Sequence, residues 1–441
     1  MIKKLRKKLN GDVHLKEVLK GSSLSFILKM SGMALSYLLI VVISKYYGSK
    51  GVGFYNLLYQ SLVVVGINLA LGINISVLRY VGQFNTDIEK VKLRKLYKNY
   101  ISLIAPISIF VCVILYLSSN FFANIIHIDK EFLFSLKALL FVVPLYTINQ
   151  ISVEFIRGLK KVAISEFLRS ITIPLFLIIG LSVFARNYDI ELIVYILAIA
   201  ILFNSIISSI TIWKNLRKIK VEVVQFTKRE LLSTSIPIMW SNIASSLLVA
   251  LPIFCIGYFF SEEFAGKYSV IFKISQLITI ILFVINTMTA PKFSELFWAD
   301  KHFELNKIVN QTSKILFYVG LSTSIIIISF AHQILCFFGK EYTDIKIELA
   351  LLVLAQFINV SCGSVGVILN MTGNQKTYRN ILLITFIFHV ISCLILIKYF
   401  SIFGAAISIL ISYSILNITS AIVIYKKYRI QTFHIPFIKK I

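Results

Sequence analysis

Long apolar stretches, separated by short polar ones, follow one another along nearly the whole chain. They fall at about 22–43, 52–74, 99–118, 132–154, 163–185, 190–212, 231–258, 266–290, 309–330, 346–369, 378–399 and 403–424. Each is close to the roughly 20 residues that cross a bilayer as a helix. The runs are continuous, as in Leu62–Leu71 and Ile271–Ile285, whereas barrel strands alternate apolar and polar residues over about 10 positions. Backbone polar groups in hydrocarbon must be paired internally, so these stretches predict helices. The pattern predicts an all-α polytopic membrane protein with twelve transmembrane helices and no sizeable soluble domain.

Composition agrees. Of 441 residues, 58% are hydrophobic and 15% charged, against about 25% charged in soluble domains. The net charge of +25 would suggest nucleic acid in a soluble protein, but its distribution argues otherwise, and no nucleic-acid partner is expected. With an even number of spans and a cytoplasmic N-terminus, the inside segments carry 32 Lys+Arg and the outside loops 8, of 45 in all. These counts assign charges at span ends to the adjoining segment. That bias is the positive-inside rule, and it places both termini in the cytoplasm. The basic residues also attract anionic membrane lipids.

Residues 1–21 read as a basic amphipathic segment on the inner surface, with Lys3, Lys4, Arg6, Lys7 and Lys8. The following run is too long for a secretory-signal core and contains Lys29, so it reads as the first span. The expected organisation is an N-lobe over 22–212, a cytoplasmic linker over 213–230, a C-lobe over 231–424 and a basic tail over 425–441. Cys112, Cys255, Cys336, Cys362 and Cys393 have no metal or redox spacing.

The halves echo each other. Gly53-Phe-Tyr-Asn56 matches Gly266-Lys-Tyr-Ser269, and Arg79 falls on Lys292 at the same offset. Gly158-Leu-Lys-Lys161 resembles Gly373-Asn-Gln-Lys376 at an offset two residues longer. Parallel repeats of this kind place a substrate site at their interface. The other reading is that Gly, Tyr and Lys recur because span ends favour them. Polar residues concentrate in particular spans: Asn56, Gln60, Asn68 and Asn74; Asn149 and Gln150; Ser241, Asn242, Ser245 and Ser246; Gln276 and Asn286; Gln356, Asn359, Ser361 and Ser364. Amides in hydrocarbon must bond or meet water. Asn56, Gln60, Asn242, Gln276, Gln356 and Asn359 are therefore candidates to line a wet cavity. Gluing helices together is the alternative role for any one of them.

Five cations mark a candidate anion site: Lys29, Arg79, Arg169, Lys273 and Lys292. Lys29 and Lys273 can also snorkel to the interface. Glu154 with Arg157, and Glu166 with Arg169, stand three apart, one face of a helix. They read as paired charges at the membrane edge, either structural or forming an inner gate that opens when the pairs break. His389, mid-span, is a packing residue or a proton-coupling group. No Walker loop, dinucleotide motif, metal cluster or catalytic triad occurs. No cofactor and no enzymatic chemistry are expected, and any work must come from an ion gradient or the substrate's own gradient.

The internal lysine of Ser25-Phe-Ile-Leu-Lys29, the junction Ser44-Lys-Tyr-Tyr-Gly48 followed by Gly51-Val-Gly-Phe-Tyr55, and the exit Arg157-Gly-Leu-Lys160 resemble one family. It is the polysaccharide-exporter branch of the multidrug/oligosaccharidyl-lipid/polysaccharide (MOP) superfamily, in particular the Wzx-type O-antigen flippases. The resemblance covers the whole chain in length, span count and orientation, though its motifs are loose. It implies a MATE-like V of two six-helix lobes in the bacterial inner membrane. It implies alternating access that carries an undecaprenyl-pyrophosphate-linked glycan from the cytoplasmic to the periplasmic leaflet. The polymerase and chain-length regulator of the same pathway are its implied protein partners. Cationic cavity residues are typical of the family, and Lys29 is the first candidate. The rival readings are a MATE-type multidrug/cation antiporter, an O-antigen polymerase-like enzyme and a glycan-assembly scaffold. No carboxylate is expected deep in a span, which counts against the antiporter, and the short outer loops count against the polymerase.

Overall fold

The computed structural model describes residues 13–84, 90–126, 129–217 and 227–434. Parts of three sequence expectations lie outside the described residues: 1–12 of the amphipathic segment, 218–226 of the linker and 435–441 of the tail.

The described chain is helical from end to end, without strands. In chain order the helical stretches are α1 (Val13–Leu69), α2 (Ile73–Phe84), α3 (Lys90–Ile126), α4 (Lys130–Gly158), α5 (Val162–Phe184), α6 (Leu192–Leu216), α7 (Lys228–Phe259), α8 (Glu262–Trp298), α9 (His302–Ser329), α10 (Ala331–Phe338), α11 (Lys346–Met371) and α12 (Gln375–Tyr428). Among the described residues ten of these are long and apolar enough to span a membrane; α2 and α10 are too short. Large apolar side chains such as Phe110, Leu117 and Phe141 stand exposed on the helix surfaces, as lipid-facing positions must.

Three of the ten are broken. α11 is interrupted at 362–364, where Gly363 takes φ 81°. α1 contains Gly48 at φ 64°, and α12 contains Ser401 at φ 50°. Glycine adopts that backbone freely, whereas serine carries some strain there. At Ser401 the chain doubles back. His389 Nδ1 lies 2.8 Å from Ser412 Oγ, although 23 residues separate them; along one straight helix that separation would be about 34 Å. The expected count of twelve spans follows only if α1 and α12 are each taken as a pair.

The second predicted span, 52–74, stops early. α1 ends at Leu69, Leu71 and Gly72 take positive φ, and α2 begins at Ile73. A Cβ on Gly72 would run into the Ser235 carbonyl, so the turn packs directly on α7. Ser76 Oγ then bonds Ser235 Oγ, and Tyr80 Oη meets Thr234 Oγ1 at 2.8 Å.

The chain divides into two compact units. One comprises Met1–Tyr46 and Leu58–Ile243, the other Tyr47–Leu57 and Ala244–Ile441. Neither is a continuous half of the sequence. The core of the first joins α2, α3 and α4 around Val77, Val81, Tyr100, Phe155 and Ile156. Tyr100 Oη hydrogen-bonds Ser152 Oγ at 3.1 Å. The core of the second gathers Phe293, Leu296, Leu305, Ile368, Ile424 and Ile430. Here the chain after α12 folds back: Ser313 Oγ donates to the Thr432 carbonyl at 2.6 Å.

The turn after α4 has a counterpart after α11. Lys160 takes φ 63°, with the Lys161 N–H donating to the Ile156 carbonyl at 3.2 Å and the Ser165 N–H to the Lys161 carbonyl at 3.1 Å. Gly373 takes φ 78°, with Asn374 donating to Leu369 at 2.9 Å and Tyr378 to Asn374 at 3.0 Å. Every position shifts by 213, the offset that also relates Gly53 to Gly266. The alignment of Gly158 with Gly373, two residues longer, is therefore corrected. The structure equates Lys160 with Gly373, because backbone hydrogen bonds, not side-chain identity, define the turn.

Candidate functional site: a charged cluster around Lys29

α1 and α5 approach so closely that a Cβ on Gly32 would stand 2.5 Å from Ser170 Cβ and 2.6 Å from its carbonyl oxygen. One turn earlier on each helix lie Lys29 and Glu166. Residues three or four apart share a helix face, so the glycine contact brings both charges into one place. Lys29 lies within electrostatic reach of Glu166, Arg169 and Arg157. Glu166 is 3% exposed, and its Oε2 has no hydrogen-bond partner among the described residues.

The other half of the cluster comes from the end of α4. Arg169 Nη2 donates to Glu154 Oε1 at 2.5 Å, and Arg157 Nη1 lies 3.8 Å from Glu154 Oε2. The expected pairing of Glu166 with Arg169 is corrected here: Arg169 turns to Glu154 instead. The cause is local. Phe167–Ile171 forms a π-helical turn within α5, whose wider winding carries Arg169 off the face it would share with Glu166. Two polar groups support the turn. Asn204 Nδ2 of α6 donates to the Leu168 carbonyl at 3.1 Å, and Thr172 Oγ1 to the Phe167 carbonyl at 3.0 Å. The sequence marks Asn204 only as the amide that closes the apolar run 192–203. The cluster therefore holds three cations and two carboxylates, all within the first unit. Glu166 is buried among protein groups within the first two turns of α5, near its start at Val162.

The other candidate cations lie elsewhere. Arg79 is exposed on α2, after the helix break. Lys273 is half-buried in the second unit. Lys292, in the same unit, is exposed and pairs with Glu295 at 2.7 Å. The candidate amides divide as well. Asn56 bonds back to the Val52 carbonyl of its own helix at 2.8 Å. Asn242 Nδ2 reaches Asn74 Oδ1 at 3.5 Å. Gln356 is 2% exposed and bonds Tyr413 and Asn359, the latter at 3.3 Å. Gln60 and Gln276 are half-buried. His389 is fully buried against Ser412 and Cys393, a packed and hydrogen-bonded side chain. Among the described residues no three His, Cys, Asp or Glu converge to hold a metal.

The profile of the family described as polysaccharide biosynthesis protein matches residues 18–297, more than half of the chain and all of the Lys29 cluster. The chain belongs to that family. The MatE profile matches residues 237–395. Among other polysaccharide biosynthesis proteins, the capsular polysaccharide biosynthesis protein CapF of Staphylococcus aureus is 26% identical over 186 residues, 42% of this chain. The match spans about half of that relative, 47%. The inward-facing conformation of a multidrug resistance MATE family transporter of the MOP superfamily superposes with a TM-score of 0.75 at 12% identity, over 92% of this chain and 98% of that one. A MOP superfamily transporter from Pyrococcus furiosus superposes at 0.64 with 14% identity, over 93% and 96%. This polysaccharide biosynthesis family member thus has the MATE-like fold of a multi-pass membrane transporter.

Proposed function

We propose that the protein is a flippase that carries an undecaprenyl-pyrophosphate-linked oligosaccharide, an O-antigen or related repeat unit, across the bacterial inner membrane. The direction is from the cytoplasmic to the periplasmic leaflet by alternating access, with both termini cytoplasmic. Membrane lipids surround it, and the polymerase and chain-length regulator of the pathway are its expected partners. The Lys29 cluster carries the reading. Lys29, Arg157 and Arg169 are held together by two carboxylates. A pyrophosphate arriving there exchanges a carboxylate for a phosphate as the partner of Arg169, a planar fork that suits either. Polar headgroups cannot cross hydrocarbon unaided, since each unmet polar group costs several kcal/mol. Fixed cations replace the lost hydration while the lipid tail stays in the bilayer.

The test is complementation. Cells lacking the gene should accumulate lipid-linked repeat units on the cytoplasmic side. Lys29→Arg should restore surface glycan, and Lys29→Ala, inserted at normal levels, should not. Full restoration by Lys29→Ala removes Lys29 as a headgroup contact.

One observation favours a second reading, cation-coupled export of small molecules. Glu166 is a buried carboxylate, the residue type that intramembrane ion coupling uses. Dye efflux from vesicles that depends on sodium or protons and stops in Glu166→Gln, with surface glycan unchanged, would decide for it.

A further inference from the structure

A second basic site lies apart from the Lys29 cluster, where the start of α3 meets the end of α6. Arg94, Tyr97, Ser209, Ile210, Trp213 and Arg217 line a groove of about 600 Å³. The Arg217 guanidinium sits 5.0 Å over the Trp213 ring, and Tyr97 hydrogen-bonds Ser209. Both arginines are exposed, and among the described residues neither pairs with a carboxylate. Lys98, four residues after Arg94, shares its helix face. Among the described residues, the groove is therefore a cation-rich pocket whose arginines pair with no carboxylate.

The rest of α6 says what fills it. Tyr195, Ile199, Leu202, Ile206, Ile210 and Trp213 are all exposed at spacings of three and four, one continuous helix face. That face can only meet acyl chains, and it runs straight into the groove. The ligand is thus anionic at one end and apolar along its length. Tryptophan at the junction is the residue type that marks a bilayer interface.

We propose that this groove binds the phosphate headgroup of an anionic phospholipid, with its acyl chains lying along α6. On the orientation proposed above, the lipid belongs to the cytoplasmic leaflet. Basic pockets between spans on that side hold acidic headgroups in other membrane proteins. The groove contains none of the Lys29 cluster residues, so the proposal stands whether the cargo is a glycan lipid or a drug.

The experiment uses the full chain in nanodiscs, with Trp240→Phe and Trp298→Phe leaving Trp213 as the only tryptophan. Brominated phosphatidylglycerol should quench Trp213 at a much lower mole fraction than brominated phosphatidylcholine. Arg94→Gln with Arg217→Gln should weaken that preference by roughly 25-fold, about a factor of five for each cation lost near an anionic headgroup. Arg94→Lys with Arg217→Lys should keep most of it. Native mass spectra of the unsubstituted protein should show retained phosphatidylglycerol, lost from the glutamine pair. Equal quenching by both lipids, or a preference that survives the glutamine pair, overturns the proposal. So does displacement of brominated phosphatidylglycerol by stoichiometric undecaprenyl pyrophosphate, which would make the groove part of the substrate path.

Discussion

Gly53 and Gly266 meet backbone to backbone. A Cβ on Gly53 would collide with the Glu262 carbonyl and lie 2.9 Å from the Gly266 nitrogen. A Cβ on Gly266 would collide with the Ser49 carbonyl and lie 2.8 Å from the Gly53 nitrogen. Ser49 and Glu262 stand at the same offset as the glycines. The contact is reciprocal, like an isologous interface between two copies, here made by two segments of one chain.

Gly53→Ala and Gly266→Ala should therefore each force the helices apart. Overpacking of this kind typically destabilises by about 1–3 kcal/mol. The thermal midpoint in detergent should fall, and surface glycan should be lost in complementation. Gly82→Ala is the control. Nothing lies within 4 Å of the added methyl, so it should be neutral or stabilise by roughly 0.5–1 kcal/mol as glycine leaves a helix interior.

The Glu154–Arg169 contact should appear as a coupling. Glu154→Gln, Arg169→Gln and the double variant form a cycle. Side chains in one charged network couple by roughly 0.5–3 kcal/mol, and both partners here are partly exposed, which favours the lower end. A coupling indistinguishable from zero in thermal unfolding would mean that the ion pair contributes nothing to the folded state. Transport should fall in Arg169→Gln well beyond the stability loss.

Asn204→Leu should leave the Leu168 carbonyl without its donor. An unsatisfied buried group costs about 1–3 kcal/mol. With the π-turn unsupported, Arg169 should lose its approach to Glu154, and complementation should fail as in Arg169→Gln. Normal complementation despite a lowered midpoint would separate the turn from function.

The segment after α12 should matter for the second unit. Ile430 is 1% exposed, and cutting a buried isoleucine to alanine costs roughly 2–5 kcal/mol. Ser313→Ala should cost about 1 kcal/mol through its bond to Thr432. Both are read by thermal unfolding, and the two losses should add to less than their sum because the groups hold one segment.

Much of the architecture was legible in the chain. Hydropathy located the spans because backbone groups in lipid must bond within their own segment. The recurrence of Gly53-Phe-Tyr-Asn56 as Gly266-Lys-Tyr-Ser269 carried the offset of 213. Individual ends were less legible. Leu71 and Gly72 break the second stretch inside its apolar run, and hydropathy does not register a change of φ. Gly158 and Gly373 aligned by identity, yet the hydrogen bonds place Lys160 opposite Gly373. The site was half visible. Lys29, Glu154, Arg157, Glu166 and Arg169 stood out as charges in apolar surroundings. That Arg169 turns to Glu154 depends on a π-turn and on Asn204, which bonds Leu168 of that turn from 36 residues away in sequence.

By itself the sequence determined the class and the helical spans, because each follows from the price of leaving a polar group unpaired in lipid. Only the tertiary structure decided which charges meet. Partners on different helices are chosen by how closely two backbones approach, as at Gly32 and Ser170, and by a local change in winding. Neither quantity is carried by the residue types along one helix.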